Sequence, residues 1–305
     1  KVLRNTMNKS IEEAYKLIEV KDKLIRKLEM QIKLSANLSK ELERQKTLAL
    51  ETQVEINKSI KYASRIQKAM LPKRIPQDTE MAILWNPLNV VGGDFYIIRE
   101  IADTVLVACI DCTGHGVPGA LLSTLTNSIL ESLFLDENVE TPGEYLSKAH
   151  NLLSKFLGQN GKNESKSNDG FDGSICIFNK DKNNFYFSGA RASIFKISKS
   201  GKVEEYKGNR KSVGGSRTPK DYSFETQKIS LDDGIIIMYT DGITDVMSEP
   251  PQSMLFGKER LLDTLKMWHG NNPDKIVKNV EVSLENHRNT EPIRDDMSMV
   301  VIKMI

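Results

Sequence analysis

From residue 7 to residue 70 the chain contains neither proline nor glycine, the two residues that most readily interrupt a helix. Within that stretch a walk in alternating steps of three and four from Met7 to Met70 lands mostly on apolar residues, Met7, Ala14, Leu17, Leu24, Leu28, Leu38, Leu42, Ala49, Ile56, Ala63, Ile66 and Met70, and the residues off the walk are largely charged. A seam of this kind, sustained over about nine heptads, predicts a coiled coil. Gln31, Ser35 and Gln45 interrupt it; polar seam positions lower stability and can fix register. One helix cannot bury such a stripe by itself, so the reading is a parallel homodimer; a helix folded back on the rest of the chain is the competing one. Pro72 stops the helix, because its ring and missing N–H end the hydrogen-bond ladder. Residues 1–71 are therefore expected to form a signalling and dimerisation helix, and 72–305 a globular domain.

After Pro76 short β-branched runs alternate with turns. Strands are predicted over 81–85, 104–110, 174–178, 184–188, 193–197, 234–239 and 297–302. Helices are predicted near 119–134, 142–157, 258–266 and 273–288. Strands in clusters, with helices between clusters, argue for an α+β domain with largely antiparallel sheets. Residues 158–169 are rich in Gly, Asn, Ser and Lys, which predicts a mobile loop.

Four acidic positions stand where an apolar run meets a turn: Asp94 in Val91-Gly92-Gly93-Asp94-Phe95-Tyr96, Asp111 in Asp111-Cys112-Thr113-Gly114-His115-Gly116, Asp241 in Tyr239-Thr240-Asp241-Gly242, and the pair Asp295-Asp296 before Met297. One Asp-Gly is a common turn. Four carboxylates at strand ends are harder to explain that way, because each is costly to desolvate without a compensating positive charge. Hard cations such as Mg²⁺ and Mn²⁺ take oxygen ligands, and converging aspartates are what they require. Gly114-His115-Gly116 is not a phosphate loop of the G-x-x-x-x-G-K-[ST] type.

Taken in order, Gly93-Asp94-Phe95-Tyr96, Asp111-x-x-Gly114-His115-Gly116-x-Pro118-Gly119-Ala120, Tyr239-Thr240-Asp241-Gly242 and Asp295-Asp296-Met297 resemble the SpoIIE/RsbU-type serine phosphatases of bacteria, within the metal-dependent PP2C-like class. Ile66-Gln67-x-x-Met70-Leu71-Pro72 resembles that family's helix-to-domain junction, while Phe171-Asp172-Gly173 and Ser188-Gly189-Ala190-Arg191 match more loosely. The resemblance implies a PP2C-like β-sandwich flanked by helices, and hydrolysis of phosphoserine or phosphothreonine on a protein. It implies two divalent cations, Mn²⁺ or Mg²⁺, held by Asp94, Asp111, Asp241, Asp295 and the main-chain oxygen of Cys112. Asp296 would support this set from behind. The substrate implied is a STAS-type anti-sigma-factor antagonist or a similar partner-switch protein. Two departures stand out: many relatives carry Asp where Ile97 stands, and eukaryotic relatives carry Asp near Ala190, which puts a third metal in doubt.

Other roles stay open. His115 could act as general acid towards the leaving serine, or orient a ligand, or simply pack. Arg191 could grip substrate phosphate, since a guanidinium matches its geometry, or form a surface ion pair.

A formal net charge of +2 gives no reason to expect nucleic acid as partner, and no apolar run approaches the roughly 18 residues of a membrane span. Three cysteines, Cys109, Cys112 and Cys176, are too few for a disulfide scaffold and fit a reducing cytoplasm. Cys109 and Cys112 form a C-x-x-C pair without a second ligand pair for zinc. A first residue of Lys1 rather than Met leads us to expect an upstream sensor, with a membrane-bound one as an option. A sensor histidine kinase would need a phosphoacceptor His on the long helix, but the first histidine is His115. The remaining rivals are a non-catalytic module that captures phosphoproteins on the same fold and a coiled-coil scaffold with an incidental globular cap.

Overall fold

The computed structural model describes residues 2–77, 79–135, 140–159, 167–179, 185–230 and 234–304. Helix α1 runs unbroken from Val2 to Met70. Two compact units emerge, residues 1–59 and residues 60–305. In the first, the seam residues are exposed along the helix, with Leu17, Leu38 and Leu42 each at least 70% accessible. Of the mobile loop expected over 158–169, residues 160–166 lie outside the described part, as does Asn184 of the fourth predicted strand.

The second unit is built on two antiparallel sheets. One holds β1 (Thr79–Asn86), β11 (Met297–Met304), β10 (Ile235–Tyr239), β6 (Ser193–Ile197) and β7 (Val203–Lys207), in that spatial order. The other holds β2 (Phe95–Ile101), β3 (Thr104–Cys112), β4 (Gly170–Asn179), β5 (Phe185–Ala190) and β9 (Gln227–Ile229), with the two-residue β8 (Val213–Gly214) paired to β4. Strand β3 explains why its sequence is continuously apolar rather than alternating. Val105, Val107 and Cys109 point between the sheets, where they meet Phe178, Phe185 and Phe187 from their own sheet and Ile236, Met238 and Val300 from the other. Leu106, Ala108 and Ile110 point outward and are covered by α2 (Gly116–Phe134) and α3 (Pro142–Phe156). On the far side, α5 (Gly257–Trp268) and α6 (Pro273–Arg288) cover Phe195, Ile237, Met299 and Val301. The result is a helix–sheet–sheet–helix sandwich with apolar matter between every pair of layers.

Local signals set the helix starts. Thr141 accepts from Glu144 N–H and the Glu144 carboxylate accepts from Thr141 N–H, a capping box ahead of Pro142. Asn272 caps α6 through Lys275 N–H, with Pro273 next. The predicted strands are all present, some longer than expected; β2, β7, β8 and β9 are additional, as is the one-turn α4 (Asp241–Thr244).

Candidate metal centre

The sandwich brings the ends of β3, β10 and β11 to one mouth, and each of these ends carries an aspartate. Asp94 precedes β2 and is the deepest, 1% exposed. Its carboxylate accepts from the Thr240 hydroxyl at 2.7 Å, and Thr240 Oγ1 in turn accepts from Ser298 N–H at 2.9 Å. Asp111, half-buried in β3, stands close enough to Asp94, Asp241 and Asp295 for all three to repel its charge. Asp241, which opens α4, and Asp295, just before β11, stand exposed at the rim.

Their electrostatics follow from crowding in a poorly solvated place. Burial pushes Asp94 up to about 7, against the hydrogen bond from Thr240 that favours its charged form. Burial, followed by repulsion from Asp94, Asp241 and Asp295, pushes Asp111 up to about 10. Asp241 and Asp295 are raised as well, chiefly by burial. Like charges so close favour holding protons unless a cation compensates them. Among the described residues no three such side chains surround a single point at ligand distance. The donor set nonetheless suits a hard cation: it is carboxylate oxygen throughout, and a compensating charge is what its shifted proton affinities call for.

The glycines serve close approach. A Cβ on Gly93 would stand 2.6 Å from the carbonyl oxygens of both Cys112 and Gly114, and one on Gly119 would stand 2.1 Å from Gly114 O. The Asp94 loop can therefore lie directly on the Cys112 carbonyl. The Cys112 thiol points away, into the core beside Thr126, and all three cysteines are free and buried.

Asp296 is 3% exposed and faces away from the mouth. Its carboxylate accepts from Leu88 N–H and Gly93 N–H, each at 2.6 Å. It thus fastens the loop that carries Asp94. His115 caps α2 without a side-chain cap bond, is exposed, contacts Asn89 at 3.2 Å and exerts a lowering influence on Asp295. Arg191, in the left-handed region at φ 49°, lies 3.4 Å from Asp172, so an ion pair holds its guanidinium beside the aspartates.

Two contributors enter the sequence only as members of motifs, Phe171-Asp172-Gly173 and Ile66-Gln67-x-x-Met70-Leu71-Pro72, with no role read for either. Asp172 faces Asp111 across the β3–β4 register, and its Oδ1 is buried without a hydrogen-bond partner. Gln67, on the last turns of α1 within the second unit, is 3% exposed. Its amide donates to Gly92 O at 2.6 Å and to Ser123 Oγ at 3.1 Å, and accepts from Gly92 N–H at 3.3 Å. An Asp two residues into an apolar strand and a lone Gln between Ile66 and Met70 were the available signals.

Comparison with known proteins converges on one group. Residues 102–305 match the family model described as Stage II sporulation protein E (SpoIIE). The chain is 22% identical over 262 residues to the phosphoserine phosphatase RsbU of Bacillus subtilis, covering 82% of this chain and 71% of that one. The SiaA-PP2C domain of Pseudomonas aeruginosa superposes with a TM-score of 0.73 at 27% identity, over 83% of this chain and 99% of that domain. The PP2C phosphatase domain of SpoIIE from Bacillus subtilis, with a fragment of its regulatory domain, gives 0.61 at 18% identity, over 74% and 63%.

Proposed function

Because the chain belongs to the SpoIIE family of PP2C-like proteins, we propose that it is a metal-dependent protein serine/threonine phosphatase acting on phosphoserine or phosphothreonine of a partner-switch regulator. The observation that carries this reading is the convergence of Asp94, Asp111, Asp241 and Asp295 on one mouth, close enough that the other three raise the proton affinity of Asp111. A module that merely captured a phosphoprotein would gain nothing from mutually repelling carboxylates.

In this proposal Asp94, Asp111, Asp241, Asp295 and the Cys112 carbonyl would hold two divalent cations, Mn²⁺ or Mg²⁺. When bound, such a pair lowers the pKa of a water and offsets charge on the phosphoryl oxygens. The chain's own residues do the rest. Thr240 keeps a hydrogen bond on Asp94 and so favours its charged form. Asp296 fixes the backbone from Leu88 to Gly93, which sets where Asp94 points. Arg191, steered by Asp172, is placed to meet a phosphoryl oxygen at the cleft wall. His115, at the rim, is the nearest imidazole to Asp295 and is the candidate to protonate the leaving serine oxygen.

We further propose a parallel homodimer through the α1 seam, with an upstream sensor acting through it and a STAS-type protein as substrate, as the family resemblance of the motifs implies. Gln67 supports the control element: a shift of α1 would pull on Gly92, two residues from Asp94. Locking the seam with cysteines in successive registers and measuring turnover tests this; equal turnover in every register counts against it. Dephosphorylation of a phosphoserine protein with and without Mn²⁺ tests the activity, and metal-independent turnover would remove the reading.

A further inference from the structure

The cleft that opens on the aspartates, about 560 Å³ in volume, is lined by charges of both signs. Arg210, Lys211 and Arg217 line it together with Asp111, Asp172 and Asp295. These cations come from one short segment: residues 208–220 carry Arg210, Lys211, Arg217 and Lys220 and no carboxylate, in a chain of formal charge +2. The concentration is local, not a property of the protein as a whole.

The segment is held from beneath. Asn209 O accepts from Arg191 N–H at 2.7 Å, and Asn209 N–H donates to Gly189 O at 2.7 Å. Gly214 N–H donates to Nδ1 of the buried His150 at 2.9 Å, Gly215 N–H to Gln159 Oε1 at 2.8 Å, and the Thr218 hydroxyl to Ser212 O at 2.8 Å. Lys211 Nζ donates to Arg217 O at 3.0 Å, tying the two arms together. Arg210 and Arg217 are exposed, and among the described residues neither guanidinium meets a carboxylate. Two unpaired cations on a braced loop, facing the cleft in which phosphate chemistry takes place, form a preorganised surface whose ordering cost is already met.

We propose that residues 210–217 select the substrate: the phosphoserine segment this phosphatase accepts carries acidic side chains beside the phosphorylated residue, and these pair with Arg210 and Arg217 while the phosphate enters among the aspartates. The inference rests on the phosphatase reading above and adds the chemistry of the substrate's flanks to it. Rim charges act mainly through encounter rate and salt dependence, so both are expected to carry the signature.

Three substrates decide it, assayed with Mn²⁺: p-nitrophenyl phosphate, a phosphoserine peptide flanked by Asp and Glu, and the same peptide with Ser and Gln in their place. Two exposed ion pairs should favour the acidic peptide by about tenfold in kcat/KM at low ionic strength, with the ratio shrinking as NaCl is raised. In an Arg210→Gln/Arg217→Gln protein the acidic-to-neutral ratio should approach one; being a ratio within one protein, it is insensitive to any general loss of activity. A ratio of one in the parent protein, or an undiminished ratio in the double variant, overturns the proposal while hydrolysis of p-nitrophenyl phosphate leaves the phosphatase reading intact. Hydrolysis of none of the three removes that reading, and this inference with it.

Discussion

At the scale of single residues, one hydroxyl governs the deepest ligand candidate. Thr240 bridges the Asp94 carboxylate and Ser298 N–H, and both partners are buried. Thr240→Val should cost about 1–3 kcal/mol of stability, because it strands buried polar groups. It should also weaken Mn²⁺ binding roughly 10–100-fold, the usual effect of removing a ligand's orienting partner. An unchanged Mn²⁺ midpoint would show that Asp94 needs no such support. His150 gives a pH-dependent prediction. Its Nδ1 accepts from Gly214 N–H, so Nε2 carries the proton shared with Pro219 O at 3.0 Å, and burial lowers its pKa. The neutral form is thus favoured by folding, and this contribution is complete above the unfolded value near 6.5 and declines as pH falls below it. Between pH 7.5 and pH 5 the parent should lose more stability in urea titrations than His150→Gln does; equal losses would contradict it. The four aspartates at strand ends were legible in the sequence, because each joins an apolar run to a glycine or a turn. Asp172 showed only within the loosely matching Phe171-Asp172-Gly173: its role depends on pairing opposite Asp111 across β3–β4, which no local pattern encodes.

Elements differ in how plainly their sequences speak. Helix α1 declares itself by absence of breakers, and α3 and α6 by their caps and first-turn prolines. Strand β2 is hidden because it follows directly on the Gly-Gly-Asp motif, where turn chemistry dominates the reading. Strand β7, Val-Glu-Glu-Tyr-Lys, is a partly exposed edge strand with little apolar signal. The junction between α1 and the sandwich carries its own prediction. Gln67→Leu leaves the Gly92 N–H and C=O without their side-chain partner, so stability should fall by about 1–3 kcal/mol, and turnover should fall further than stability alone accounts for. Parental turnover in a folded Gln67→Leu protein would disconnect the helix from the site. For the seam, Leu24→Lys/Leu38→Lys should convert a dimer to a monomer in sedimentation, since charges at heptad core positions oppose pairing. A parent that sediments as a monomer would defeat the dimer proposal at once.

For the molecule as a whole, the account makes the metal-free fold a strained one. Asp94 and Asp111 have folded-state values near 7 and 10, well above the ordinary carboxylate value near 3.9. Folding therefore favours their protonated forms, and that contribution, complete below the unfolded value, is lost as pH rises through the folded ones. Cations should reverse the loss, so the rise in Tm produced by Mn²⁺ should be larger at pH 8 than at pH 5, with protons released on binding. The most direct measurement compares the parent with Asp111→Asn by thermal unfolding and by p-nitrophenyl phosphate turnover, each with and without Mn²⁺. We predict that Asp111→Asn is at least as stable as the parent without metal, gains little from Mn²⁺, and turns over at least about 100-fold more slowly, beyond the roughly 10–100-fold typical of losing only a ligand's hydrogen-bonding partner. An Asp111→Asn protein that keeps the parental Mn²⁺ stabilisation and the parental rate would contradict the account.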